Sequence, residues 1–159
     1  MINNKIKTLK ELKRIAALAK RKKQRLVFTN GCFDIIHPGH IKYLEKAKSL
    51  GDELIVAVNS NASVRKIKGR KRPIFGAKQR AFLVAACQCV DFVTIFSELT
   101  PLKLIRSLRP QVLAKGADWK KGKIVGKDFV ESYGGCVRRI KFEPGYSTSA
   151  IIAKIKESG

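Results

Sequence analysis

Apolar positions along this chain alternate between two rhythms. Leu9, Leu12, Ile15, Ala16 and Ala19 recur on one helical face. Thr8 and Glu11 have the spacing of a capping box, so the pattern predicts a first helix that ends near the basic KRKK at 20–23. Leu26-Val27-Phe28 is a short buried strand running into Thr29-Asn30-Gly31. The segment HIKYLEKAKSLGD at 40–52 returns to helical spacing through Ile41, Leu44 and Ala47, with Gly51 as its stop. ELIVAVNS at 53–60 is a continuous apolar run of the kind parallel strands show when both faces are covered.

The alternation continues to the end. A loop over KIKGRKRP (66–73) leads to a helix over 77–87, and FVTIF (92–96) is a strand. LKLIRSL (102–108) is a helix, QVLAK (111–115) a strand, and a polar stretch with Gly122 and Gly126 precedes a helix around DFVESYGG (128–135). CVRRIKF (136–142) is the last strand and SAIIAKIKE (149–157) the last helix. Strand and helix in turn predict an α/β fold: a Rossmann-like, doubly wound parallel sheet of about five strands with helices on both faces. In such a sheet ligands bind beyond the carboxyl ends of the strands. The expected organisation is one domain over 1–159, with an N-terminal helix and basic segment at 1–24 and a catalytic core at 25–159.

Composition narrows this only a little. The 159 residues carry 34 Lys+Arg against 12 Asp+Glu, a formal charge of +22. Such a surplus suits nucleic acid, a polyanionic small substrate or an acidic surface. The basic residues are scattered, and the aromatics do not interleave with them as in a stacking platform. Nucleic acid is therefore the weaker of these partners, though a basic nucleic-acid-binding module stays open as a reading from another class. No apolar run approaches the ~20 residues of a membrane span, and the first residues lack a signal-peptide core, so the expectation is a cytoplasmic protein without membrane insertion. Cys32, Cys87, Cys89 and Cys136 lack zinc-ligand spacing and are expected to be free thiols.

The chemistry concentrates in TNGCFDIIHPGH, residues 29–40, which holds both histidines of the chain. Pro38 fits a first helical turn, where a missing N–H costs little. His40 then stands near the positive end of a helix dipole and His37 in the loop before it, beside backbone N–H groups that form an anion site. Two imidazoles there can donate to phosphate oxygens and stabilise charge on a transferring phosphorus. With no third ligand at hand, no metal site is expected. An isolated H-x-x-H is most often incidental. Here Gly31 permits a tight approach of the backbone, Asp34 adds a carboxylate, and the apolar strand comes first.

This stretch resembles the signature of the nucleotidyltransferase superfamily that includes the cytidylyltransferases. In order along the chain, VAVNSNASVRKIKG, RPI with Gln79-Arg80, VLAKGADW, VGKDFVESYGG and PGYSTSAI together look most like the heptose 1-phosphate adenylyltransferases. The resemblance implies transfer of AMP from ATP to a sugar 1-phosphate. The products would be ADP-heptose, an activated sugar of lipopolysaccharide synthesis, and pyrophosphate. It also implies Mg²⁺ with the nucleotide, and a homodimer to which FLVAACQCV (82–90) could lend an apolar surface. The length leaves no room for the sugar kinase domain often fused in this family, so a standalone adenylyltransferase is expected.

By the same resemblance His37, His40 and Lys68 are catalytic. The nucleotide falls to Thr29, Asn30, Gly31, Cys32, Phe33, Gly39, Arg80, Lys115, Gly116, Glu143, Ser147, Thr148 and Ser149. Asp34, Asn59, Lys66, Asp118 and Trp119 are left for the acceptor, with the KGADW residues able to serve acceptor or nucleotide. Glycerol-phosphate cytidylyltransferases carry R-T-E-G where this chain has Phe142-Glu143-Pro144-Gly145. That favours adenine over cytosine, with a cytidylyltransferase acting on glycerol 3-phosphate or another phosphorylated acceptor as the alternative.

Overall fold

The computed structural model describes residues 1–117 and 124–159. Five parallel strands, β1 (Leu26–Gly31), β2 (Glu53–Asn59), β3 (Phe92–Phe96), β4 (Val112–Gly116) and β5 (Cys136–Ile140), form one sheet in the order β3-β2-β1-β4-β5. The chain steps outward from β1 to β3, then crosses to the other side of β1 for β4 and β5. The crevice between β1 and β4 is thus the topological switch point.

The doubly wound architecture follows from strands that are apolar on both faces. Val27, Leu54, Val56, Val58, Val112 and Ala114 point to one face, where they meet Tyr43, Leu44 and Ala47 of α2 (Pro38–Lys48) and Ala81, Val84 and Ala85 of α4 (Ala77–Ala86). Their neighbours Leu26, Phe28, Ile55, Ala57 and Leu113 point to the other face. There they meet Leu12 of α1 (Leu9–Arg21), Leu104, Ile105 and Leu108 of α5 (Leu102–Leu108), and Val130 of α6 (Lys127–Ser132). The period-2 alternation of side chains produces this division. The last helix is α7 (Thr148–Glu157).

The Thr8–Glu11 capping box is present in full, with the Glu11 amide donating to the Thr8 hydroxyl and the Thr8 amide to the Glu11 carboxylate. Three details depart from the sequence reading. The expected loop from Lys66 begins inside a helix, α3 (Asn61–Lys68), which Ser60 caps by accepting from the Ser63 amide. Its core contact is little more than Val64, too short an apolar pattern to announce a helix. Gly51 lies beyond the cap of α2, which ends at Lys48; a Cβ there would stand 2.5 Å from the Arg25 carbonyl, so close approach explains the glycine. Before α1, a short turn of 3-10 helix (Ile2–Lys5) leads Ile6 to bridge Val93 at the β3 edge, an element the apolar pattern does not signal. Among the described residues, no helix is long and apolar enough to cross a membrane.

Candidate active site

The carboxyl ends of β1, β2 and β4 open into a cleft of about 600 Å³. Its floor is the loop between β1 and α2, where Phe33 (φ 48°) and Ile35 (φ 55°) occupy the left-handed region that bulky side chains normally avoid. Two contacts hold that backbone. The Phe33 ring is buried and covers Gly31, where a Cβ would come within 2.9 Å of it. The Asp34 carboxylate, fully buried, accepts from Arg72 Nε at 2.6 Å and from the amides of Ile74 and Phe75 at 2.8 and 3.0 Å.

His37 caps α2 and His40 lies one turn in. Their rings stack with centroids 3.8 Å apart at 22°, and Phe33 tilts against His40 at 5.5 Å. Both Nδ1 atoms are buried without a hydrogen-bond partner among the described residues. Burial lowers the pKa of His37. Burial, and then the neighbouring His37, pushes His40 down to about 4. The pair is therefore neutral at neutral pH and sits in a site that favours arriving negative charge. Binding an anion raises a depressed imidazole pKa, so binding of pyrophosphate at pH 6 is expected to take up protons. Binding heats should then vary with the ionisation enthalpy of the buffer; buffer-independent heats would contradict this. The stability sign agrees. A histidine depressed from 6.5 to about 4 binds more protons unfolded than folded within that window. Its contribution is fully present above pH 6.5 and is lost as pH falls toward 4.

The C-terminal segment closes over this pair. Tyr146 stacks near His37, with centroids 6.2 Å apart at 13°, and Lys42 lies over the Tyr146 ring. Ser147 caps α7 by accepting from the Ala150 amide, and the Thr148 hydroxyl donates to the Asp34 carbonyl at 2.9 Å. Gly39 makes room for the closure: a Cβ there would stand 2.8 Å from Tyr146 Cβ and 3.1 Å from the His37 ring. Gly39→Ala should therefore push the two segments apart. The expected cost is about 1–3 kcal/mol of stability and about 100-fold in kcat/KM, the scale of a 1 Å misplacement. Thermal unfolding together with steady-state kinetics checks both; a variant with wild-type kinetics would mean that the closure is catalytically idle.

The structure gathers most of the residues the sequence singles out. Asn30, Gly31, Cys32, Phe33, Asp34, His37, Gly39, His40, Asn59, Lys68, Lys115, Gly116, Glu143, Ser147, Thr148 and Ser149 all line the cleft. Several have partners other than those expected. Asp34 is occupied by Arg72 and two amides rather than free for a sugar hydroxyl. Glu143 pairs with Lys46 at 2.7 Å and with Lys42 at 3.8 Å, and Asn59 donates to Ser63 Oγ. Thr29 lies beneath the cleft, bonded to the Tyr43 hydroxyl at 2.8 Å. Arg80, placed near the triphosphate by the motif, is instead wholly buried. It donates to the Phe75 and Cys32 carbonyls and to Asn61 Oδ1, because it lies on the inward face of α4 beside Ala81 and Val84. Lys66 is exposed and outside the cleft lining, whereas Lys68 two residues on faces it. Asp118 and Trp119 lie outside the described residues.

Lys115 stands apart. It is buried, its ammonium donates to Asn30 Oδ1, and burial lowers its pKa to about 8. Arg72, Leu99, Thr100, Ile124, Val125, Phe142 and Tyr146 also line the cleft, beyond the residues expected from the sequence. Arg72, Phe142 and Tyr146 fall within or beside quoted motifs. Leu99 and Thr100 follow β3 closely, so the strand-end rule alone could have found them.

The family model described as "Cytidylyltransferase-like" matches residues 28–154. The chain is 55% identical over 152 residues to "Bifunctional protein HldE" of Geotalea uraniireducens (strain Rf4), covering 96% of this chain and 31% of that protein. It is 52% identical over 147 residues to the protein of the same description from Helicobacter pylori (strain Shi470), covering 92% and 31%. The chain thus spans about a third of the length of these curated relatives. Among solved structures, the lipopolysaccharide core biosynthesis protein from Thermoplasma volcanium GSS1 superposes with TM-score 0.62 at 30% identity, covering 76% of this chain and 97% of that one. A pantoate-beta-alanine ligase from Francisella tularensis shares the fold at TM-score 0.62 and 17% identity, covering 95% and 76%.

Proposed function

This chain belongs to the cytidylyltransferase-like family, and from that premise we propose that it transfers AMP from ATP to a heptose 1-phosphate, giving ADP-heptose and pyrophosphate. The observation that carries the reaction class is the neutral stacked His37–His40 pair, lining the cleft between the N-termini of α2 and α7. Such a pair suits an incoming phosphate. The choice of acceptor rests on the resemblance carried by KGADW and GYSTSAI, and on relatives near 50% identity described as bifunctional HldE proteins. Lipopolysaccharide core biosynthesis, the role given to the Thermoplasma protein, fits an activated sugar as the product.

In the proposed reaction a phosphate oxygen of the sugar 1-phosphate attacks the α-phosphorus in line and pyrophosphate leaves. No covalent intermediate is needed. His37 and His40 donate to oxygens of the α-phosphate and leaving group, where charge builds in the transition state. Lys68 offsets charge on the β- and γ-phosphates, and the α7 N-terminus with Ser147, Thr148 and Ser149 holds the nucleotide. Asp34 and Arg80 act beneath the ligand by holding the loop in register.

Magnesium, when bound, supplies charge neutralisation across the phosphate oxygens. Among the described residues, the two carboxylates lining the cleft are engaged by Arg72 and Lys46, and no group of three or more His, Cys, Asp or Glu is arranged for a metal. These residues therefore suit Mg²⁺ that arrives as MgATP, held by phosphate and water.

The proposed protein acts in the cytoplasm as a homodimer. Phe82 and Leu83 of α4 are exposed while Ala81, Val84 and Ala85 face the core, which leaves an apolar face for a second copy. Sedimentation of a Phe82→Lys variant as a monomer, against a dimeric wild type, checks this. The function itself is tested by a matrix of ATP and CTP against heptose 1-phosphate, other sugar 1-phosphates and glycerol 3-phosphate, scored for pyrophosphate. ATP with heptose 1-phosphate should give the highest kcat/KM; preference for CTP with glycerol 3-phosphate would replace this reading.

A further inference from the structure

At the carboxyl ends of β1 and β4, the Lys115 ammonium donates across the switch-point crevice to Asn30 Oδ1. Lys115 is 7% exposed and lines the cleft, and its bonded partner is a neutral amide. A buried ammonium without a counter-ion is costly. Burial is also the cause of its depressed pKa, and among the described residues no carboxylate is paired with it. Lys68, which also lines the cleft, ends α3, which follows β2 on the opposite side of β1. Lys68 lies near Cys32, whose thiol pKa is raised by burial and drawn back chiefly by Lys68. The two cations therefore flank the histidine loop from opposite sides.

An in-line displacement needs that arrangement, because the attacking and leaving oxygens lie on opposite sides of the phosphorus. The α-phosphate meets the histidines, and the leaving pyrophosphate has Lys68. The attacking group is itself an anion. Bringing it against a triphosphate requires a cation on the entering side.

We propose that Lys115, presented by Asn30 at the β1–β4 crevice, binds the phosphate of the acceptor rather than the triphosphate of the nucleotide. This rests on the nucleotidyl-transfer reading above and deepens it by assigning the acceptor's phosphate to one side chain of the cleft. Asn30 holds the ammonium without neutralising it, leaving its charge for the incoming dianion. Substitution of Asn30 by aspartate would give Lys115 an internal counter-ion that competes with the phosphate.

The test saturates wild-type, Lys115→Met and Asn30→Asp proteins with the magnesium complex of α,β-methylene-ATP. Inorganic phosphate and mannose 1-phosphate are then titrated, followed by calorimetry and ³¹P NMR. Lys115→Met should bind the nucleotide analogue within about twofold of wild type and lose about 30-fold or more in phosphate affinity, the scale for deleting one partner of a buried charge contact. Asn30→Asp should also weaken phosphate while sparing the nucleotide. Methionine removes a buried charge and keeps the length of the side chain, and Asn30→Asp is nearly isosteric, so thermal midpoints are expected at or near wild type. Unchanged phosphate affinity in Lys115→Met overturns the proposal. So does an equal loss of nucleotide and phosphate, which would assign Lys115 to the triphosphate. Because inorganic phosphate carries no sugar, the result is readable even if the matrix rejects heptose as the acceptor.

Discussion

His40→Ala is expected to lower the rate of pyrophosphate release by about 10²–10³-fold, the range measured when one transition-state donor is removed. The KM for ATP should move little, because the lost interaction strengthens only as charge builds on the transferring phosphate. His40 is poised for this role by its surroundings. It stacks on His37 at 3.8 Å, is backed by Phe33, and is held neutral by burial, with a pKa of about 4. A neutral ring avoids the larger cost of a buried charge beside the cleft before substrate arrives, and it gains most when the phosphate becomes more anionic. The two rings share one site, so the double variant with His37→Ala should lose less than the product of the single effects. A His40→Ala enzyme with wild-type kcat would remove the histidine pair from the chemistry.

The second large effect falls on stability. Asp34→Ala is expected to cost roughly 3–5 kcal/mol, the range for removing one partner of a buried ion pair. The Asp34 side chain is fully buried and Arg72 is 15% exposed, so water does little to replace the lost contact. Two further donors, the Ile74 and Phe75 amides, would also lose their acceptor. Burial alone would raise the Asp34 carboxyl pKa. The two amides and Arg72 outweigh it and leave the net shift downward. A carboxyl with a lowered folded pKa contributes stability that is present above its unfolded value and is lost as pH falls through the folded one. Asp34→Ala should therefore show its full deficit at neutral pH and approach wild type in acid. Chemical denaturation at pH 7 and pH 3 measures both arms. An equal deficit at the two values would show that lost packing, not lost charge, sets the effect.

These two residues also show what the sequence carried and what it did not. The order of strands and helices was legible because the inner strands β1, β2 and β4 are apolar runs and the longer helices carry an apolar stripe, and that periodicity needs no tertiary information. The position of TNGCFDIIHPGH after β1 then placed the histidines at the ligand-binding edge. The direction of the charged side chains was not legible. Asp34 and Arg80 sit in motifs that read as ligand contacts, yet Asp34 reaches 38 residues along the chain to Arg72 and Arg80 reaches 48 residues back to the Cys32 carbonyl. A carboxylate or guanidinium looks the same in sequence whether it faces a substrate or a strained loop. Phe33 and Ile35 hold positive φ in that loop, and such backbone persists only where surrounding bonds over-determine it. Arg80 and Asp34 are those bonds. The short helix α3 went unread for a simpler reason, since an eight-residue helix with few core contacts leaves almost no apolar stripe.

Lys68 and Lys115 illustrate the same point from the other side. Lys68 reads as part of a basic loop and Lys115 as the end of a strand, and neither reading says which way the ammonium points. Only the sheet order sets them on opposite flanks of β1, the arrangement on which the proposed displacement relies.

The proposed reaction is a direct in-line transfer of the nucleotidyl group within the histidine-lined cleft. Its stereochemical course at the α-phosphorus is the decisive measurement. One diastereomer of adenosine 5′-(1-thiotriphosphate) would be turned over with the sugar 1-phosphate, and the configuration of the nucleotide-sugar product determined. A single displacement predicts inversion, with no label left on the protein. Retention of configuration, or a nucleotidylated histidine recovered from the enzyme, would contradict it.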